Sequence, residues 1–154
     1  MKSEKLKKLK SMETSEILFN KMKEFEGCRL QAYQDAAGVW TIGYGHTRGV
    51  RRGDRITQWL ADEYLRMDIA EAERQVLGLG LTLTQGQLDA LVSFVFNVGI
   101  GRLQQSTLLR FIREGRPEHD IKRQFRQWVY AGGRTMPGLV KRREWEAIRF
   151  FSLH

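Results

Sequence analysis

Residues 29–47 constrain the fold most, because their chemistry differs from that of the chain on either side. They are rich in Gly, Tyr, Trp, Thr and Ile, and Asp35-Ala36-Ala37-Gly38 is a turn signal. The pattern predicts a β-hairpin with Val39-Trp40-Thr41-Ile42 as its clearer strand. Gly43, Gly45, Gly49 and Gly53 continue it as loop or short strand. Before it, Leu18, Met22 and Phe25 recur at helical spacing from Ser15 to a stop at Gly27. After it, residues 57–77 are helical again, with Leu60, Tyr64, Met67 and Val76 expected on the inner side.

The remainder reads as helices. Thr84 and Gln87 form a capping box that opens Leu88 to Val98, a segment apolar almost all round and expected to be the central buried helix. Ser106 caps a shorter helix ending at Gly115. Pro117 starts another that runs to Tyr130, ahead of Gly132-Gly133, and a last helix follows Pro137 to Phe151. The predicted organisation is α+β: a basic arm over residues 1–12, then a single domain over 13–154. Within that domain a small β lobe (about 28–56) is joined by a long helix (about 57–77) to a mainly helical lobe (about 82–151).

Composition sets outer bounds. A chain of 154 residues fits one domain, and its 42% hydrophobic content is enough for a packed core. No apolar run is long enough to span a bilayer, and Met1–Lys10 lacks the apolar stretch of a secretory signal. Cys28, the single cysteine, excludes an intramolecular disulfide and is expected to pack as a small hydrophobe. The net charge of +8 is uneven: +4 over residues 1–10, −3 over 11–101 and +7 over 102–154. Such a balance suits an anionic polymer or surface, and equally a merely solubilising exterior.

Glu26 is the first candidate for chemistry. It lies four residues after Met22, hence on the apolar face, and in the last helical turn, where the macrodipole disfavours negative charge. Both effects favour the neutral carboxyl that a general acid needs, although a frayed helix end would turn Glu26 to water. Asp35, nine residues on, sits where a short acid commonly caps a turn. A hairpin folded back on the helix end would set the two carboxyls on opposite walls of one cleft, the arrangement glycoside hydrolysis uses.

Three stretches match a family. Glu26-Gly27-Cys28-Arg29-Leu30, Ala32-Tyr33-Gln34-Asp35 and residues 38–47 closely resemble the catalytic stretch of the T-even-phage-type lysozymes, glycoside hydrolase family twenty-four. Residues 90–99 and 137–144 extend the resemblance, which covers about 15 to 151. It implies that Glu26 is the acid and that Asp35 stabilises the oxocarbenium charge and activates water or forms a covalent intermediate. Thr41 would position the attacking water, otherwise being an ordinary β-branched strand residue. In relatives with this threonine the carboxylates act by inversion.

The resemblance also pairs His46 with Asp68 as a structural salt bridge, and no metal-ligand spacing surrounds that histidine. Tyr44, Asn97 and Trp128 are the candidates for holding substrate. Similar lysozymes carry an amide facing the cleft where Asn97 stands, otherwise a hydrogen-bonded core group, and Trp128 either stacks on sugar or packs in the core. Arg142 and Arg143 would help orient the acid, with one of the two expected to point away because both lie on one helix. The implied reaction is hydrolysis of the β-1,4 bond between N-acetylmuramic acid and N-acetylglucosamine, without a cofactor. The implied setting is a monomeric endolysin made in the cytoplasm and released to the wall by a holin, with bacterial peptidoglycan as partner. A non-catalytic wall-binding module, a basic nucleic-acid-binding protein and a lytic transglycosylase are the rival readings, and nucleic acid is not the expected partner.

Overall fold

A computed structural model describes residues 13–153, so the expected arm over 1–12 lies outside the described residues, as does His154. In chain order the elements are α1 (Glu16–Glu26), β1 (Arg29–Gln34), β2 (Trp40–Gly43), α2 (Gln58–Leu77), α3 (Gln85–Val98) and α4 (Ile100–Gln104). Then come α5 (Thr107–Glu114), α6 (Glu118–Arg126), β3 (Tyr130–Ala131), β4 (Arg134–Thr135) and α7 (Pro137–Phe150). They divide into two compact units, one of residues 16–71 and the other of 13–15 with 72–153. Among the described residues no helix is long and apolar enough to cross a membrane.

The first unit is built on the hairpin. Antiparallel β1 and β2 pair Tyr33 with Thr41 and Gln34 with Trp40, with an irregular register between Arg29 and Tyr33. The other edge of β1 is also occupied, since Ala32 N–H donates to Asp54 O and Ile56 N–H to Leu30 O, each at 2.9 Å. The loop after β2 thereby covers an edge that would otherwise expose unpaired backbone groups. Helix α1 buries Leu18, Phe19 and Met22, close to the expected apolar face.

Helix α2 buries a different stripe from the one its large side chains suggest. Ala61, Leu65, Ile69, Ala72 and Val76 are buried, whereas Met67 is 58% exposed and Leu60 and Tyr64 are only half-buried. Of the expected positions Val76 is buried, and Ala61 stands where the backbone of β2 comes close. A Cβ at Gly43, whose φ is +63°, would lie 3.4 Å from Ala61 Cβ.

In the second unit α3 is the central helix, opened by the expected capping box. Gln87 N–H donates to Thr84 Oγ1 at 3.2 Å and Thr84 N–H to Gln87 Oε1 at 3.0 Å. Ser106 caps α5 through Leu109 N–H at 3.0 Å, and Gly115 closes that helix at φ 64°. Phe94 of α3 meets Phe125 and Trp128 edge-on, at centroid distances of 5.9 and 5.3 Å.

Yet α3 is not apolar all round. Asp89, Ser93 and Asn97, four residues apart, form a polar line matched in antiparallel order by Arg149, Glu146 with Arg142, and Arg143 on α7. Asp89, fully buried, accepts from Arg149 Nε at 3.0 Å and Nη2 at 2.8 Å, and from Ser15 N–H at 3.0 Å. Glu146, also fully buried, accepts from Ser93 Oγ at 2.6 Å and meets Arg143 Nη1 at 3.1 Å. Burial pushes the Glu146 carboxyl up and the Arg143 guanidinium down, each resisted by the opposite charge of the other.

Two local expectations fail. Helix α6 stops at Arg126 rather than Tyr130, and Gly132-Gly133 forms a two-residue hairpin loop between β3 and β4. Both glycines have positive φ, 59° and 77°, which suits that turn geometry. Neither Arg142 nor Arg143 points away; both are buried, because α7 is flanked there by polar partners on α3.

Two substitutions test this core. A Cβ at Gly86 would sit 2.4 Å from Arg149 O and 2.5 Å from Ser152 O, both backbone atoms, so Gly86→Ala is expected to destabilise by about 3 kcal/mol or more. Glu146→Ala strands Arg143 without its counter-charge and is expected to cost about 3–5 kcal/mol. Urea midpoints of the two variants check both values.

Candidate active site

Glu26 is the last residue of α1, half-buried, and Gly27 ends the helix with φ 63° and its N–H on Lys23 O at 3.2 Å. The chain returns past it through a tight turn at the end of β2. Ile42 and His46 exchange two backbone hydrogen bonds of 2.9 Å, and the turn between them carries Gly43 at φ 63° and Gly45 at φ 92°. A Cβ added at Gly45 would lie 3.5 Å from Glu26 Oε2, so this glycine lets backbone run alongside the carboxyl.

Asp35 begins the hairpin turn and is exposed. Its Oδ1 accepts from Ala37 N–H and Val39 N–H, each at 2.9 Å, while Oδ2 has no hydrogen-bond partner among the described residues. One oxygen caps the turn and fixes the carboxylate plane; the other stays open. Thr41, 4% exposed, donates its hydroxyl to Val39 O at 2.9 Å, which leaves the oxygen free to accept. Glu26, Asp35 and Thr41 all belong to the 16–71 unit.

The turn after β2 is anchored to α2 at two points. His46 Nδ1 lies 2.9 Å from Asp68 Oδ2, as expected, and its ring stacks on Tyr64 at 4.2 Å. Tyr44, only 6% exposed, has its hydroxyl accepting from Gln58 Nε2 at 2.9 Å, and burial pushes that phenol up. Gln58 also donates to Asp62 Oδ1 at 2.9 Å, and Lys23 Nζ reaches Asp62 Oδ2 at 3.2 Å. Burial alone would raise the Asp62 carboxyl, but hydrogen bonds from Gln58 and Lys23 outweigh it and hold the group below its usual range. The same contact to Asp62 raises Lys23 against a smaller effect of burial.

Cys28 departs from expectation: it is exposed, its thiol 3.9 Å from Gln58 Oε1, because Gly27 turns the chain outward before β1 begins. The other two substrate candidates belong to the second unit. Asn97 is exposed with its Oδ1 on Arg143 Nη2, and Trp128 is half-buried against Phe94. Among the described residues no three His, Cys, Asp or Glu side chains gather to hold a metal. The residues missed in the sequence are Lys23, Gln58 and Asp62. A Gln–Asp pair one turn apart at the start of α2 is a visible signal, but its partners are distant in sequence.

Two outcomes are expected. Gly45→Ala forces a side chain onto positive φ beside Glu26, costing on the order of 1–3 kcal/mol and lowering catalysis; melting and turnover check it. Asp62 titrates lower folded than unfolded, so its contribution is present above the ordinary carboxylate range and lost as pH falls through its depressed value. Asp62→Asn is therefore less stable than wild type at neutral pH, and the gap closes toward pH values below that point, as urea midpoints across pH would record.

The family model described as phage lysozyme matches residues 23–146. The endolysin of Acyrthosiphon pisum secondary endosymbiont phage 1 is 43% identical over 136 residues, covering 85% of this chain and 92% of that one. The muramidase domain of SpmX from Asticaccaulis excentricus superposes with a TM-score of 0.83 at 39% identity, covering 91% of this chain and 98% of its own. The endolysin from Escherichia coli O157:H7 phage FAHEc1 gives 0.80 at 33% identity, over 92% and 94%. A match over most of the chain, on a helix–hairpin–helix unit that sets Glu26 beside a glycine turn, shows that this protein belongs to the phage lysozyme family.

Proposed function

We propose that Glu26 is the general acid of this peptidoglycan hydrolase, with Asp35 and Thr41 handling the water. The observation that carries the reading is the constellation within one unit. A half-buried carboxyl lies against the Gly45 backbone, and a second carboxylate is held by two backbone N–H groups with one oxygen open.

Chemically, Glu26 gives its proton to the glycosidic oxygen as the bond from C1 of N-acetylmuramic acid breaks, and the N-acetylglucosamine hydroxyl leaves neutral. Positive charge grows on the C1–ring oxygen pair, and the open Oδ2 of Asp35 stabilises it. Asp35 then takes a proton from a water whose other hydrogen is accepted by Thr41 Oγ1, and that water attacks C1 from the face opposite the leaving group. This is the inverting route; it leaves Glu26 ionised and Asp35 protonated until exchange with solvent returns a proton to the first and removes one from the second. Tyr44 acts from beneath the turn, while Asn97 and Trp128 are proposed to contact the glycan. The further reading takes the protein as a monomer made in the cytoplasm and passed to the wall by a separate holin.

Clearing of purified peptidoglycan, with mass spectrometry and anomeric NMR of the products, tests the assignment. Wild type is expected to give reducing N-acetylmuramic ends as the α-anomer, and Glu26→Gln to lose at least about 10²-fold in rate. Asp35→Asn keeps an oxygen for Ala37 and Val39 N–H, so it should stay folded yet lose turnover. Anhydro ends would make the enzyme a transglycosylase. Binding without clearing would make it a wall-binding module, and undiminished clearing by Glu26→Gln would mean another acid.

A further inference from the structure

Two side chains in the first turns of α2, Gln58 and Asp62, reach the chain before and after Glu26 as well as the turn that borders it. Gln58 Nε2 donates to Tyr44 OH, next to Gly45 in the turn that borders the carboxyl. Gln58 Oε1 lies 3.9 Å from the thiol of Cys28, two residues beyond Glu26. Asp62, one turn along, takes the second Gln58 N–H at 2.9 Å and the Lys23 ammonium at 3.2 Å. Lys23 belongs to the same helical turn as Glu26, because its carbonyl accepts the Gly27 N–H. Its ammonium also stands 5.7 Å from the Tyr44 ring centroid and 5.3 Å from that of Phe19, bridging helix and turn.

We propose that Gln58 and Asp62 form a positioning clamp that fixes the Glu26 carboxyl against the Gly45 backbone. Lys23, Cys28 and Tyr44 are the three points it grips. The clamp rests on the reading of Glu26 as the acid and adds what sets its aim. A general acid must meet the glycosidic oxygen at hydrogen-bond distance, and a displacement of about 1 Å can cost about 10²-fold in rate. The last turn of a helix frays most readily, and Gly27 follows Glu26 with no side chain to pack. Neither α1 nor the 42–46 turn can therefore fix the separation alone. A bidentate amide touching the turn, with a carboxylate holding the helix, sets both ends from one rigid element. None of the clamp residues is placed to touch the reacting atoms, so the effect falls on turnover and leaves substrate affinity alone.

The test uses the full chain with a soluble muropeptide oligosaccharide, and compares Gln58→Met, Tyr44→Phe, Asp62→Asn, Asp62→Glu and Glu26→Gln. Gln58→Met keeps length and loses both donors; Tyr44→Phe keeps the buried ring and loses the acceptor. Each is expected to lower kcat about tenfold or more, with KM within about twofold, in protein that melts cooperatively. Asp62→Asn should fall likewise, and Asp62→Glu, which restores the charge opposite Lys23, should recover most of the loss. Wild-type kcat in folded Gln58→Met and Tyr44→Phe overturns the clamp, as does a rise in KM at constant kcat. If Gln58→Met does not fold, Tyr44→Phe decides alone. Glu26→Gln separates the two ideas: if it turns over like wild type, the acid is misassigned and the clamp falls with it. If it is inactive while the clamp variants are normal, only the clamp is wrong.

Discussion

The line of polar side chains between α3 and α7 organises the larger unit. Burying Asp89, Ser93 and Glu146 among aromatic and aliphatic neighbours is costly unless each finds its partner, and the partners stand in one register only. A slip of one turn would set Asp89 opposite the wrong residue and leave at least one ion alone in the core. Apolar packing would tolerate several offsets of two helices; these pairs select one. Residues 13–15 join the same arrangement, since Ser15 N–H donates to Asp89 and Thr14 N–H reaches Glu73 at 2.9 Å.

In the 16–71 unit the equivalent role falls to backbone conformation. Gly43 and Gly45, at φ +63° and +92°, let β2 reverse within a few residues, with the backbone passing near Ala61 and Glu26. The residues between and after them, Tyr44 and His46, are turned onto α2 and held by Gln58 and Asp68. Alternation thus gives a glycine where backbone must approach something and an anchored side chain where the turn must be held. Helix α2 supplies both anchors and buries Ala61, Leu65 and Ile69, while its bulky Met67 and Trp59 lie on the exposed side.

What could be read in the sequence was local. The hairpin, the capping box at Thr84, the Ser106 cap and the Gly115 stop depend on residues a few positions apart, and their geometry follows from those residues. The polar line on α3 was hidden by the six apolar residues around Ser93 in 90–96, because its partners are some fifty positions away. Gly-Gly signals a helix end and a hairpin turn alike, and at Gly132-Gly133 the pairing of Tyr130 with Thr135 separates the two. Composition alone puts a free cysteine in the core, whereas Cys28, following Gly27 at positive φ, is exposed. The His46–Asp68 pair was legible only through family resemblance, since nothing local links residues 22 positions apart. The same limit applied to Lys23, Gln58 and Asp62.

In the proposed site Asp35 would serve fold and chemistry together. The capping role, read from turn composition, and the catalytic role, read from the family motif, looked like competing accounts of the same side chain. A carboxylate has two oxygens, and the structure gives the first to Ala37 and Val39 while leaving the second open. The backbone bonds that stabilise the turn also remove the rotational freedom that an unanchored carboxylate would have to lose in the transition state. Thr41 repeats the economy, since its proton goes to Val39 O and its lone pairs remain available. At both positions a local hydrogen bond orients a polar side chain of the hairpin. The hairpin therefore cannot be loosened without also loosening the proposed site.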